Sequence, residues 1–166
     1  MTFQLAEQRS IPKSEVYDQL ALQLSSLLAG ERDLVANAAN FAALIFHSLP
    51  DLNWAGFYFV KAGELVLGPF QGKPACMRIV FGRGVCGAAA AKCETTIVPN
   101  VHEFPGHITC DTESNSEIVV PLKKNGRFIG VLDLDSPSLS RFDEGDAAGL
   151  ETLVKILLAS TIGNDN

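Results

Sequence analysis

Apolar residues recur every three to four positions near the start of the chain. Val16, Leu20, Leu24 and Leu27 form one stripe, so the spacing predicts a helix over 14–28 with Ser14 as its N-cap and Gly30 as its end. Leu34, Ala38, Phe41, Leu44 and Ile45 predict a second helix over about 32–48, stopped by Pro50. Towards the other end, Ala147, Leu150, Val154, Leu157 and Leu158 share a face over roughly 143–160. Asp143 and Glu144 precede them, and their charge suits a helix N-terminus.

Between these stretches the period shortens to two. NWAGFYFV (53–60) is aromatic and β-branched, as strands are. Ala62-Gly63 reads as a turn, followed by a strand over 64–70 and a third over 76–81. GRGVCGAAAAK (82–92) reads as a glycine-rich turn opening a short helix, and 95–100 as a short strand. Residues 101–116 are polar and broken by Pro105 and Gly106, so they are expected to form a long loop, and loops of this length are usually functional or disordered. Residues 117–136 form a hairpin about Asn125-Gly126. Six short strands joined by tight turns, with helices at both ends, predict an α+β fold: a six-stranded antiparallel sheet with the N- and C-terminal helices packed on one face.

The hairpin has two candidate registers. A two-residue turn would put Asp133 and Asp135 on the same face as Ile118, Val120 and Leu122. A three-residue turn, Lys124-Asn125-Gly126, shifts the pairing by one. One face then holds Ile118, Val120, Leu122, Phe128, Leu132 and Leu134, and the other holds Glu117, Val119, Ile129, Val131, Asp133 and Asp135. Burial fixes register, so the second is preferred. It sets Glu117 across from Asp133, with Asp135 two residues further on. Like charges placed together are destabilising, so such a cluster faces water, binds a cation or shares a proton. With apolar walls around it, an organic ammonium group or a hard cation fits better than a soft transition metal. Trp54 and Tyr58 share one strand face and could line the same small pocket.

Composition narrows the setting. Of 166 residues, 47% are apolar and 19% charged, enough for one core and unlike a disordered chain. A single domain over 1–166 is expected, with an arm over 1–12 that ends at Pro12. Thirteen basic and 19 acidic residues give a formal net charge of −6. That balance speaks against a nucleic-acid partner or an anionic membrane surface. The longest apolar runs, such as FAALIF at 41–46, are far too short to span a membrane. The segment MTFQLAEQRS, with Glu7 and Arg9, lacks the apolar centre of a signal peptide, so the cytoplasm is the expected location.

In that compartment the four cysteines, Cys76, Cys86, Cys93 and Cys110, are expected to be core thiols, metal ligands or redox groups rather than a disulfide scaffold. Cys110 lies on the long loop just before the strand that carries Glu117. Cys86 opens the short helix, where a thiolate is favoured, although a small residue for close packing fits as well. No CxxC pair exists, and His102 and His107 form no tight pair, so no metal site is expected.

GRGVCGAAAAK (82–92), IVPN (97–100), PGHITCD (105–111), SEIVVPL (116–122) and IGVLDLDSP (129–137), with NWAGFY (53–58) and LGPFQGKPAC (67–76), resemble the GAF-domain free methionine-(R)-sulfoxide reductases. The likeness spans about 15–160. It implies a GAF-like domain that reduces free methionine-(R)-sulfoxide to methionine and leaves protein-bound residues alone. By that resemblance Cys110 is the nucleophile, passing through a sulfenic acid to a disulfide with Cys76 or Cys86. Thioredoxin, fed by NADPH, would then restore the thiols, and no resident cofactor is implied. Glu117, Asp133 and Asp135 would hold the substrate ammonium group, with one acid protonating the sulfoxide oxygen, and Trp54 and Tyr58 would wall the methylthio group. Members of the family often pair as homodimers, for which the N-terminal helices could supply a surface. Three acids raise a nearby thiol's pKa, so an offset is needed. The substrate ammonium, Arg83, His107 and a protonated acid are all open choices. Two other readings remain: a non-catalytic GAF sensor of a small ligand, and a metal-binding redox sensor using Cys86, Cys110 and His107.

Overall fold

A computed structural model describes residues 11–162; residues 1–10 of the expected arm lie outside the described residues. Ten elements follow in order: α1 (Lys13–Leu27), α2 (Leu34–Ser48), β1 (Trp54–Lys61), β2 (Glu64–Gly72), β3 (Arg78–Ile79), α3 (Gly84–Lys92), β4 (Thr96–Val98), β5 (Ser116–Lys124), β6 (Arg127–Ser136) and α4 (Glu144–Ser160). The strands form one antiparallel sheet in the order β3-β2-β1-β6-β5-β4. The predicted α+β architecture is thus observed.

α2 and α4 pack on one sheet face, and α1 packs across α4. Their core takes in Leu20, Leu24, Phe41, Ile45, Phe57, Ile118, Leu132, Leu134, Leu150 and Leu157. The edge of Phe41 meets the ring of Phe57 at 5.2 Å. α1 begins at Lys13 with Pro12 at the cap position and no side-chain cap, so Ser14 is not its N-cap. Its buried face is also rotated from the predicted stripe. Tyr17, Leu20 and Leu24 are buried, while Leu27 is 45% exposed. The Tyr17 hydroxyl causes this by donating to Asp146 Oδ1 on α4 at 2.9 Å. Gly149 makes room for the ring, since a Cβ there would sit 2.2 Å from Tyr17 Cγ. Asp146 is buried and also pairs with Lys13 and Arg141. Asp143 and Asp146 form a capping box at the start of α4. At its other end Lys124 Nζ donates to the carbonyls of Leu158 and Thr161.

The hairpin corrects the predicted turn. Lys124 pairs with Arg127, so the turn has two residues, and Asn125 and Gly126 both have positive φ, at 51° and 77°. The register then shifts between Leu122 and Lys123: Lys123 pairs with Phe128 and Leu122 with Gly130. Ile129 is the extra residue of a β-bulge. The bulge, not the turn, supplies the one-residue shift that separates core from carboxylates. It also exchanges two side chains relative to expectation. Ile129 packs with the helix-side core, and Phe128 with the opposite cluster.

On that opposite face, Trp54, Tyr58, Leu65, Ile79, Val119 and Val131 gather with Val85, Cys86, Ala89 and Ala90 of α3. The third strand is shorter than the predicted 76–81. Val80 accepts a backbone hydrogen bond from Arg83, and Gly82 donates one to Gly87, folding the chain into the turn that launches α3. Among the described residues no helix is long and apolar enough to cross a membrane.

Candidate active site

α3 covers part of its sheet face and leaves a small pocket open to solvent. Trp54 and Tyr58 of β1, Cys86 of α3, Cys110 of the long loop, Glu117 of β5, and Asp133 and Asp135 of β6 all line it. Cys76 does not itself line the pocket but is bonded to Cys110, which does. The structure thus brings the sequence-predicted residues together around one cavity.

One expectation about the acids needs correction. Glu117 pairs with Asp135, not Asp133; Asp133 lies across from Val119. The three carboxyls still share the sheet face, because the bulge preserves parity. Glu117 and Asp133 are buried, each 6% exposed, while Asp135 is half-buried. Asp133 Oδ1 has no hydrogen-bond partner.

Burial, with Asp133 and Asp135 beside it, holds the Glu117 carboxyl well above the usual carboxylate range. Burial pushes Asp133 up to about 6, with the neighbouring Glu117 and Cys86 pulling the other way. Asp135 is also raised well above its ordinary value, by burial and then by Asp133 and Asp111. Three carboxyls so placed share protons rather than carrying three charges at neutral pH. A carboxyl that keeps its proton can donate a hydrogen bond, and an ionised neighbour can hold a cation.

The cysteines take three different situations. Cys76 and Cys110 form a disulfide with Cα atoms 5.9 Å apart. Cys86 is free and buried, its Sγ 3.8 Å from Glu117 Oε1. Burial, then Asp133 and Glu117, push the Cys86 thiol well above its ordinary pKa, so the start of α3 does not make it a thiolate. Cys93 is free and ends α3 in the left-handed conformation, at φ 54°. His107 lines the pocket, and burial lowers its pKa. His102 hydrogen-bonds Asn115 instead, through Nε2 at 2.9 Å.

The aromatic wall is fixed from outside the cavity. Trp54 stacks between Tyr58 and Phe70, at 5.9 and 5.3 Å. Its ring N–H donates to the Lys73 carbonyl at 3.1 Å, and the Tyr58 hydroxyl donates to the Cys76 carbonyl at 3.0 Å. Tyr58 therefore touches the backbone of a disulfide cysteine.

Sequence reasoning missed the residues that hold the Cys110 loop. Asn53 Nδ2 donates to Asp111 Oδ2 at 3.2 Å and to Ser114 Oγ at 3.0 Å. The Asn53 backbone N–H donates to the Asp135 carbonyl at 3.0 Å. Lys73 pairs with Glu113 at 2.6 Å and lies 3.6 Å from Asp111. Gly84, at φ +60°, packs below the loop, where a Cβ would lie 3.1 Å from Ile108 Cγ1. Asn53 precedes a strand, and no local pattern announces a contact 58 residues away. Asn53, Lys73, Gly84 and Asp111 all stand inside segments that carry the family resemblance, but nothing in those segments shows that they meet.

Residues 14–159 match the family described as the GAF domain. The chain is 53% identical over 157 residues to protein YtsP of Bacillus subtilis (strain 168), covering 91% of this chain and 96% of that one. It is 51% identical over 142 residues to free methionine-R-sulfoxide reductase of Escherichia coli (strain K12), covering 86% of each. The X-ray structure of free methionine-R-sulfoxide reductase from Neisseria meningitidis, in complex with its substrate, matches with a TM-score of 0.87 at 48% identity, over 95% of each chain.

Proposed function

Because the chain belongs to the GAF-domain free methionine-(R)-sulfoxide reductase family, we propose that it reduces free L-methionine-(R)-sulfoxide to methionine, with Cys110 as nucleophile and Cys76 as resolving thiol. The observation that carries this reading is the Cys76–Cys110 disulfide beside a pocket that holds Glu117, Asp133 and Asp135.

The chemistry balances on these residues. The Cys110 thiolate attacks the sulfoxide sulfur while a protonated carboxyl delivers a proton to the oxygen. The hydroxyl passes from the substrate sulfur to the Cys110 sulfur as the S–O bond and the transient S–S bond break, methionine leaves, and Cys110 is left as a sulfenic acid. The Cys76 thiolate attacks that sulfur, hydroxide leaves as water with one further proton, and the disulfide forms. Two thiols have then supplied the two electrons the sulfoxide accepted. An external dithiol of the thioredoxin type, reduced at the expense of NADPH, restores both cysteines by exchange. No resident cofactor enters the scheme.

The carboxyls divide between two tasks. Asp133, raised only to about 6 and so ionised at neutral pH, holds the substrate ammonium, and Glu117 or Asp135, both held well above the usual carboxylate range, keeps the proton for the oxygen. Trp54 and Tyr58 supply the apolar wall for the methylthio end. A peptide-bound residue brings an amide where the ammonium belongs, leaving a buried carboxylate unpaired, which disfavours it strongly. Cys86 is placed against Glu117 and stays free when the disulfide is closed, so Cys76 is assigned as the resolving thiol.

The test is NADPH oxidation coupled through thioredoxin and thioredoxin reductase, with separate R and S epimers, an N-acetylated R-sulfoxide and a Cys110→Ser control. Turnover of the free R epimer alone, lost in the control, is expected. No turnover even with dithiothreitol as reductant overturns the reading in favour of a ligand-binding sensor.

A further inference from the structure

Cys86 Sγ, one Glu117 oxygen and one Asp133 oxygen lie within 4.8 Å of one another, and all three side chains are buried. We propose that these three side chains form a site for one thiophilic divalent cation of the Zn2+ class. The ligands come from α3, β5 and β6, so no spacing in the sequence announces them.

The geometry is close to ligating already. A tetrahedral zinc with Zn–S of about 2.3 Å and Zn–O of about 2.1 Å sets its S···O separations at about 3.6 Å. Cys86 Sγ and Glu117 Oε1 are 3.8 Å apart. Asp133 supplies an independent sign of a missing partner. It lines the pocket, is 6% exposed, and its Oδ1 accepts no hydrogen bond. A cation there gives that oxygen the contact it lacks. Three protein ligands leave a fourth position open towards the pocket, for water or a small ligand.

The donor set selects the ion. Mg2+ and Ca2+ take oxygen ligands, and a thiolate does not suit them. One thiolate with two carboxylates suits Zn2+ or Cd2+. On binding, the Cys86 S–H bond breaks, an S–metal bond forms, and the proton is released to solvent. The disulfide leaves this site untouched, because Cys86 takes no part in it.

The same carboxyls are those assigned to the substrate. The bound cation therefore excludes the sulfoxide. This inhibitory consequence rests on the reductase reading, whereas the site itself rests on the three side chains alone.

The experiment uses the full chain with its Cys76–Cys110 disulfide intact. Zn2+ is titrated against a chromophoric chelator, and Co2+ serves as a spectroscopic probe. One ion per chain and a sulfur-to-cobalt charge-transfer band are expected. Cys86→Ser loses the band and weakens Zn2+ binding by about 100-fold or more, and Asp133→Asn weakens binding but keeps the band. Cys93→Ser, which alters the other free thiol, leaves both unchanged. The proposal is overturned by absent binding, by a cobalt complex without the band, or by loss of the band in Cys93→Ser instead. Wild-type turnover is expected to fall with Zn2+, competitively with the sulfoxide, and to return with a chelator. A chain that binds as expected but reduces no sulfoxide overturns the reductase reading and leaves the site standing. An active reductase that binds no ion overturns the site alone.

Discussion

Cys110 is joined to Cys76 across 34 residues of chain, with their Cα atoms 5.9 Å apart, while Cys86 remains a free thiol on Glu117. The oxidised pair therefore joins the loop between β2 and β3 to the loop before β5, and excludes the thiol nearest the acids.

This division predicts how single-cysteine variants stall. Cys76→Ser should release one methionine per chain and then stop, with Cys110 held as a sulfenic acid that a dione reagent traps. Cys86→Ala should turn over repeatedly. Continued turnover in Cys76→Ser would transfer the resolving role to Cys86.

Asp133 sets a pH dependence with a definite sign. Its pKa rises from an ordinary 3.8 to about 6 in the folded chain. A carboxyl raised on folding favours the folded state least when it is ionised. Stability is thus lost as pH climbs from about 4 through 6, by on the order of 3 kcal/mol in total. Asp133→Asn should raise Tm at pH 8, by on the order of 5 °C, with the gain vanishing below about pH 4. In turnover the sign reverses, because the ammonium needs the ionised form. KM should rise as pH falls below about 6 in the wild type, and be raised throughout in Asp133→Asn. A pH-independent Tm difference would sink the assignment.

Asn53 ties the Cys110 loop to the sheet through Asp111 and Ser114. Asn53→Ala should lower kcat by roughly tenfold with little change in KM, and slow closure of the disulfide after a single turnover. The structural cost is about 1–3 kcal/mol, the usual range for leaving a buried polar group unsatisfied. Rapid-quench trapping of thiols measures the closure directly.

On the far side of the molecule, Tyr17→Phe should cost about 1–2 kcal/mol, because Asp146 loses a buried donor. Lys13 and Arg141 still pair with Asp146, so the chain should stay folded. A shift in urea midpoint with turnover unchanged within about twofold is expected.

Much of the fold was legible because periodicity is local. The helices and the strands over β1, β2, β5 and β6 lie within a few residues of their predicted bounds. What escaped depends on contacts between distant segments. The buried face of α1 is turned by Tyr17 reaching Asp146, 129 residues away. The third strand shrinks because residues 80–83 are drawn into the turn before α3. Glu117 meets Asp135 rather than Asp133 because Ile129 bulges, and no residue type demands a bulge there. Strand periodicity already gathered the three acids and set Trp54 and Tyr58 on one face, whereas the roles of the cysteines came from a family resemblance. The disulfide partner and the Asn53 latch needed the folded geometry.

The bulge at Ile129 has a consequence for engineering. Because it lies between the turn and the carboxylates, the tip of the hairpin is insulated from the pocket. A graft that replaces Asn125-Gly126 must preserve the pairing of Lys124 with Arg127 and the anchoring of α4 by Lys124. It need not reproduce the turn itself. Deleting Ile129 is a different operation: it inverts the inside and outside of one strand arm relative to the other, setting acids against the helices. The hairpin tip is therefore the place to attach a label, and the residue four positions beyond Asn125 is the place to leave alone.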